Sequence, residues 1–215
     1  QVFTVAAQIV DEGICSMEDV DRGAKVGLRW SRGPFEIANS IGVVQAVGMA
    51  RSYADEAALE LPDWFAERDS PFEFSYVDVE IDGGIATVRL NRPETMNALN
   101  VVLVGQLGDA IDELNGRDDI STIVLEGAGK AFVAGADVKF FVDKIRQDSF
   151  QEVYDFTAHG HEVLNAIESS PKTTIALVTG LALGGGLELA LACDYRVGTQ
   201  RTQIRFPETS IGIYP

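Results

Sequence analysis

The chemistry this sequence can perform is concentrated in two glutamates and two glycine-rich turns. The sharper turn is LGGGLELA at 183–190, lying between a strand candidate and an apolar helix. Three glycines let other backbone come close and leave amides free at a helix N-terminus, where the helix dipole favours negative charge. Such a turn suits one half of an oxyanion hole. Glu188 falls in the first turn of that helix among Leu187, Leu189 and Ala190, and an apolar setting raises a carboxyl pKa toward the range of a general acid or base. The same residues admit a plainer reading, in which the glycines only allow tight helix–strand packing and Glu188 complements the dipole. A second turn, AFVAGADVK at 131–139, also follows a strand candidate and opens a helix, so one amide from each turn can converge on a single oxygen. By itself it is weak, because small residues ahead of a helix are common. Phe206-Pro207-Glu208 is the third feature, and a lone Pro-Glu at a turn is usually just a cap.

These residues need a scaffold, and the pattern changes in kind along the chain. Residues 1–70 read as an all-helical domain. Ser16 and Asp19 resemble a capping box opening a helix with Met17, Val20, Ala24 and Leu28 at helical spacing, ending near Arg32-Gly33-Pro34. A short helix over 35–41 and a longer one over 43–58 follow, the latter turning Val44, Val47 and Tyr53 toward a core. Pro62 and the acidic run to Asp69-Ser70-Pro71 read as a linker. Residues 71–215 read as a second, layered α/β domain. Segments 76–81 and 85–90 alternate apolar and polar around Asp82-Gly83-Gly84, which predicts a hairpin. Leu103, Leu107, Ala110, Ile111 and Leu114 predict a helix, 122–125 a strand, 150–167 a helix and 174–178 a strand.

Composition narrows the classes. With 215 residues, 46% of them hydrophobic, the chain can build a substantial core. No apolar run reaches the ~18 residues of a membrane helix. The N-terminus has neither a start Met nor a basic signal flank, so it reads as the interior of a longer, cytoplasmic polypeptide. Cys15 and Cys193 lack metal or redox spacing. The net charge of −16 argues against nucleic acid or an anionic membrane as partner. Acids outnumber bases throughout, 12 to 6 in residues 1–70 and 21 to 11 in 71–215. So acidic a surface suggests a high-salt cytoplasm, with an ordinary acidic protein as the alternative.

Together the motifs resemble the crotonase, or enoyl-CoA hydratase, superfamily. NRP at 91–93 with NAL at 97–99 is similar to its opening motif, AFVAGADVK to its first oxyanion segment, GLALGGGLELALACD at 180–194 to its second, and FPETSIGIYP at 206–215 to the segment bearing the second carboxylate. The likeness covers about 76–215. It implies an α/β fold, the crotonase-like ββα spiral, incomplete at its C-terminus and preceded by a small all-α domain. It also implies a thioester oxygen held by the N–H groups of Ala136 and Gly185, with Glu188 and Glu208 sharing a water that adds across a trans-2-enoyl double bond. Two glutamates favour hydration, since relatives with one perform isomerisation, hydrolysis or decarboxylation. Substrate and coenzyme A contacts are implied at Ala134, Asp137, Val138, Lys139, Asn97 and Ala98, although Lys139 also fits a solvated helix position. The expected partner is an acyl-CoA thioester, coenzyme A entering only as part of it, in a homo-oligomer, trimer or hexamer. No metal and no bound cofactor are expected.

Residues 1–45 carry a looser resemblance. DEGI at 11–14, Ser16, EDVD at 18–21, Gly27-Leu28 and GPFE at 33–36 are similar to the C-terminal helical domain of 3-hydroxyacyl-CoA dehydrogenases. Neither that enzyme's Rossmann domain nor its catalytic His and Glu is matched, so NAD is expected only for a dehydrogenase domain elsewhere in a fused parent. His159 and His161 read as a solvated helix face. Isomerisation, acyl-CoA hydrolysis or an inactive fragment are the alternatives to hydration, the last because the family's pocket-closing segments would follow Tyr214-Pro215.

Overall fold

The computed structural model describes residues 1–211, the side chain of Ile211 excepted; residues 212–215, the end of the FPETSIGIYP segment, lie outside the described residues. The chain divides into two compact units, Gln1–Phe74 and Ser75–Pro215.

The first unit is helical: α1 (Val2–Asp11), α2 (Met17–Gly27), α3 (Pro34–Ile41), α4 (Val43–Ala57) and α5 (Asp63–Ala66). The Ser16 hydroxyl accepts from the Asp19 N–H at 3.2 Å, which starts α2 as the sequence predicts. The start of α3 is capped from outside. Its first residues hold Pro34 and follow a glycine with no side chain to offer, so Asp21 of α2 accepts from the Phe35 N–H at 2.8 Å and the Glu36 N–H at 2.9 Å. Alanines at 6, 7, 38, 46 and 50 let the helices approach closely, and Phe35, Phe65 and Phe72 fill the centre with Trp64 against them.

Three expectations are corrected here. The supposed linker from Pro62 belongs to this unit, because Pro62 caps α5 and Phe65 and Phe72 are buried in the core. Val44 is 67% exposed, its place on the inner face of α4 taken by Ala46, Val47 and Ala50. Helix α2 ends at Gly27, five residues before the Arg32 break, and leaves Leu28 65% exposed.

In the second unit β1 (Val77–Asp82) and β2 (Ile85–Leu90) form the expected hairpin, with Gly83 and Gly84 both at positive φ as its tight turn demands. The larger sheet runs β1-β2-β3-β5-β7, with β3 (Thr122–Gly127), β5 (Thr173–Val178) and β7 (Tyr195–Gly198) parallel to β2. Register aligns the buried side chains in rows: Ala86 beside Ile123 beside Thr174, and Val88 beside Leu125 beside Ala176. Helix α6 (Val101–Asn115) buries Leu103, Leu107, Ile111 and Leu114, and the Asn100 side chain caps it through the Leu103 N–H at 2.8 Å. Each fully buried leucine of this kind contributes roughly 1.5–3 kcal/mol.

The smaller sheet was not anticipated. Its strands β4 (Ala131–Val133), β6 (Leu181–Leu183) and β8 (Gln203–Arg205) are three residues each, too short to show a period. Each follows a strand of the larger sheet after a brief turn, so the chain repeats a strand–strand step, with helices α7 (Val138–Arg146) and α8 (Phe150–Glu168) after β4 and α9 (Gly185–Ala192) after β6. Among the described residues no helix is long and apolar enough to cross a membrane, and no cluster of His, Cys, Asp or Glu could hold a metal ion.

Candidate active site

Parallel pairing is what brings distant residues together. In the smaller sheet β6 lies between β4 and β8, with Val133 beside Ala182 and Leu183 beside Arg205. Parallel strands finish at a common edge, so residues 134–137, 184–188 and 206–208 all leave the sheet there, as ligand-binding loops do in open α/β sheets.

The first turn is pinned by Leu99, which pairs with Ala136 as an isolated parallel bridge. The Leu99 N–H donates to the Gly135 carbonyl at 2.9 Å, and the Asp137 N–H donates to the Leu99 carbonyl at 2.8 Å. That pattern uses the groups on either side of Ala136, whose own N–H has no acceptor among the described residues. In the second turn, the Gly184 N–H donates to the Arg205 carbonyl at 2.9 Å, while the Leu187 and Glu188 N–H groups fold back on the Gly184 carbonyl at 2.7 and 3.0 Å. The Gly185 N–H lies ahead of the helical ladder and also has no acceptor among the described residues.

The two turns touch. Gly135 sits against the Leu183 carbonyl, and Gly186 presses so closely on Val133 that any side chain there would overlap its backbone. The Leu99 side chain approaches Gly185 while its backbone pairs with Ala136, so one residue spaces both turns. Leu99 stands inside the NAL motif, but only the bridge reveals that role.

Both glutamates flank the second turn. Glu188, part-buried in the first turn of α9, has its pKa raised by burial and further by the negative charge of Glu208, while His161 on α8 pulls it down. Both histidines are exposed on α8, as expected of a solvated face, and His159 pairs with Glu162 at 3.3 Å. The Glu208 carboxylate packs onto Gly184, and its Oε2 is buried with no hydrogen-bond partner among the described residues. A carboxylate oxygen kept from water and donors alike is costly, and such orphans concentrate at functional sites.

The remaining predicted residues divide. Asp137 caps α7 through the Lys139 N–H at 3.2 Å and holds Arg92 at 3.3 Å. Lys139 and Asp137 line a shallow groove of about 280 Å³ with Asn100, Val101, Val102 and Phe140, and Val138 lies exposed beside them. The Ala134 N–H donates to the Met96 carbonyl at 3.0 Å. Asn97 and Ala98 are both buried. The Asn97 amide donates to the carbonyls of Ala128, Ala131 and Phe132 and accepts from the Arg92 N–H, so its side chain ties the turns. The Ala98 carbonyl accepts from the Arg92 guanidinium at 3.0 Å.

Comparison with known proteins bears on the family and the fold. The enoyl-CoA hydratase/isomerase family matches residues 85–215, and the C-terminal domain of 3-hydroxyacyl-CoA dehydrogenase matches residues 1–67, well past the 45 that the motifs suggest. A crotonyl-CoA hydratase of Syntrophomonas wolfei is 36% identical over 143 residues, 66% of this chain and 54% of that protein. The fatty acid oxidation complex subunit alpha of Psychrobacter cryohalolentis is 33% identical over 136 residues, 63% of this chain and 19% of that one. Among solved structures, an enoyl-CoA hydratase from Bacillus anthracis superposes with a TM-score of 0.61 at 30% identity, covering 66% of this chain and 54% of that one. The chain thus spans about half the length of the curated hydratases it matches. With the family match over residues 85–215 and the fold in common, the chain belongs to the enoyl-CoA hydratase/isomerase family, and residues 1–67 ahead of it are similar to the C-terminal domain of 3-hydroxyacyl-CoA dehydrogenase.

Proposed function

We propose that this chain carries the enoyl-CoA hydratase site of a bifunctional 3-hydroxyacyl-CoA dehydrogenase/enoyl-CoA hydratase of fatty acid β-oxidation, adding water syn to trans-2-enoyl-CoA to give 3-hydroxyacyl-CoA. One observation carries the reading: two carboxylates from separate segments flank a glycine turn in which the Gly185 amide has no acceptor among the described residues, and Leu99 contacts both that glycine and Ala136, whose amide likewise has none. In this mechanism the two N–H groups donate to the thioester oxygen and stabilise the enolate that forms there. One glutamate takes a proton from water as the water oxygen bonds to the β-carbon. The π electrons move toward the thioester oxygen and return as the other glutamate protonates the α-carbon. The orphaned Glu208 Oε2 suits a group that waits for a water hydrogen. Lys139 in the groove, which Asp137 and Asp143 also line, is the candidate contact for a phosphate or ribose of coenzyme A. The fused arrangement draws on the dehydrogenase-type domain ahead of the hydratase match and on the similarity to the Psychrobacter oxidation-complex subunit.

The test is hydration of crotonyl-CoA by the intact gene product, followed by loss of the conjugated enoyl-thioester absorbance. Glu188→Gln and Glu208→Gln are each expected to lower kcat at least ~100-fold, the scale of lost general acid–base catalysis. Near wild-type turnover in either variant overturns the two-carboxylate mechanism. Isomerisation of a 3-enoyl-CoA with no hydration overturns the hydratase assignment.

A further inference from the structure

Gly184 has no part in the mechanism above: its amide is bound to Arg205, and it carries no side chain. Its surroundings nevertheless single it out. Its φ of 49° and ψ of −125° lie where L side chains are strained. A methyl group placed on it would lie 2.0 Å from Oε1 of Glu208, an overlap, and 3.1 Å from that carboxylate's carbon. The carboxylate thus fills the volume that any other residue at 184 would need. The same glycine also fixes the strand that delivers Glu208, through the bond to Arg205 and the pairing of Leu183 with Arg205. On its other side the chain passes at once to Gly185, where a methyl group would lie 3.7 Å from Oε2 of Glu188. The two carboxylates therefore bracket a two-residue turn from opposite ends, and the bare backbone at 184 governs how far Glu208 can advance.

We propose that Gly184 is a positioning residue for hydration: its missing side chain is the seat of the Glu208 carboxylate, and this seat brings Glu208 near enough to Glu188 for both to act on one water. The inference rests on the hydratase reading and adds to it a determinant distinct from the amides that hold the thioester. A side chain at 184 obliges the flexible Glu208 carboxylate to leave its present place, so changes at the two positions are expected to be coupled.

The intact gene product bearing Gly184→Ala is assayed with crotonyl-CoA. The expected result is a fall in kcat of at least ~30-fold, within the range of a misplaced acid–base group, with KM changed less than about threefold because the thioester amides are untouched. Glu208→Asp retracts the carboxylate by one methylene and makes room for the new methyl. The double variant Gly184→Ala/Glu208→Asp is expected to be faster than Gly184→Ala alone, even though Glu208→Asp by itself slows the enzyme. If the two losses simply multiply, backbone strain explains the defect and the proposal is overturned. Should Gly184→Ala fail to fold, a stability cycle decides: with Glu208→Ala the seat is vacated, and Gly184→Ala is then expected to fold and to cost less. Equal destabilisation with and without the Glu208 side chain overturns the seat. Absence of hydration in the unmodified protein counts against the hydratase reading only, since the stability cycle reads the seat without any activity.

Discussion

Glu188 and Glu208 are held in a setting neither carboxylate would choose. Burial lifts the Glu188 pKa above its ordinary 4.5, and the charge of Glu208 lifts it further. The sign of the consequence is fixed by linkage. A carboxyl with a raised folded pKa favours folding fully below its unfolded value of about 4.5, and that contribution is lost as pH rises through the folded value. At neutral pH the second unit therefore bears a cost for holding this side chain ionised. Glu188→Gln is expected to melt at a higher temperature than the wild type at pH 7, while losing hydration activity, and the gap is expected to close as pH falls below about 4.5. Thermal melts across pH 4–8 read this directly, and a variant that melts lower at pH 7 sinks the argument. Glu188 lies in the first turn of the helix that the glycine triplet opens, a local signal, which is why that residue was legible. Glu208 was legible only as part of a family segment, because its partner, Gly184, meets it through parallel pairing across β6 and β8.

Elements with a clear period were readable, and those defined by contacts were not. The hairpin of β1 and β2, the buried stripe of α6 and the strands β3 and β5 follow from alternation or helical spacing. The smaller sheet has strands of three residues, and α5 has four, so nothing repeats. Pro62 and its acidic neighbours signal a break, yet Trp64, Phe65 and Phe72 anchor that stretch to the helical core. Asn97 is the sharpest case, since in sequence it is a polar residue in a family motif and in the fold it is a buried cross-tie. At a φ of 57° it reaches three carbonyls and one N–H, linking the turn after β2 to the turn before β4 and to the first two residues of that strand. Removing it leaves several buried groups without partners, each worth about 1–3 kcal/mol. Asn97→Ala is expected to destabilise the second unit by roughly 3 kcal/mol in urea unfolding. Asn97→Asp, which has no N–H to give, is expected to restore little. A loss below about 0.5 kcal/mol, the scale of an ordinary surface change, would mean the cross-tie has no energetic weight.

For the whole molecule the governing quantity is charge. Thirty-three acidic residues face seventeen basic ones, and neither half of the chain escapes the imbalance. The edge strand β1 shows its local form: Asp78, Glu80 and Asp82 occur at every second position, so their side chains share one face. Asp78 is tied to Asn91, and Arg89 across the hairpin lies within the field of Asp78 and Glu80 but pairs with Glu126. One cation shared among so many acids leaves net repulsion, which grows as the chain compacts. Salt weakens it: the screening length falls from about 10 Å at 0.1 M to about 3 Å at 1 M. The urea midpoint is therefore expected to rise between 0.1 and 2 M potassium chloride. Such a rise also follows from general salting-out of apolar surface, so charge must be varied independently. Glu80→Gln with Asp82→Asn removes two like charges from an exposed strand without touching the core. This variant is expected to be more stable than the wild type at 0.1 M salt and to gain less on going to 2 M. If both proteins respond to salt equally, screening of this acidic face contributes nothing to holding the chain folded.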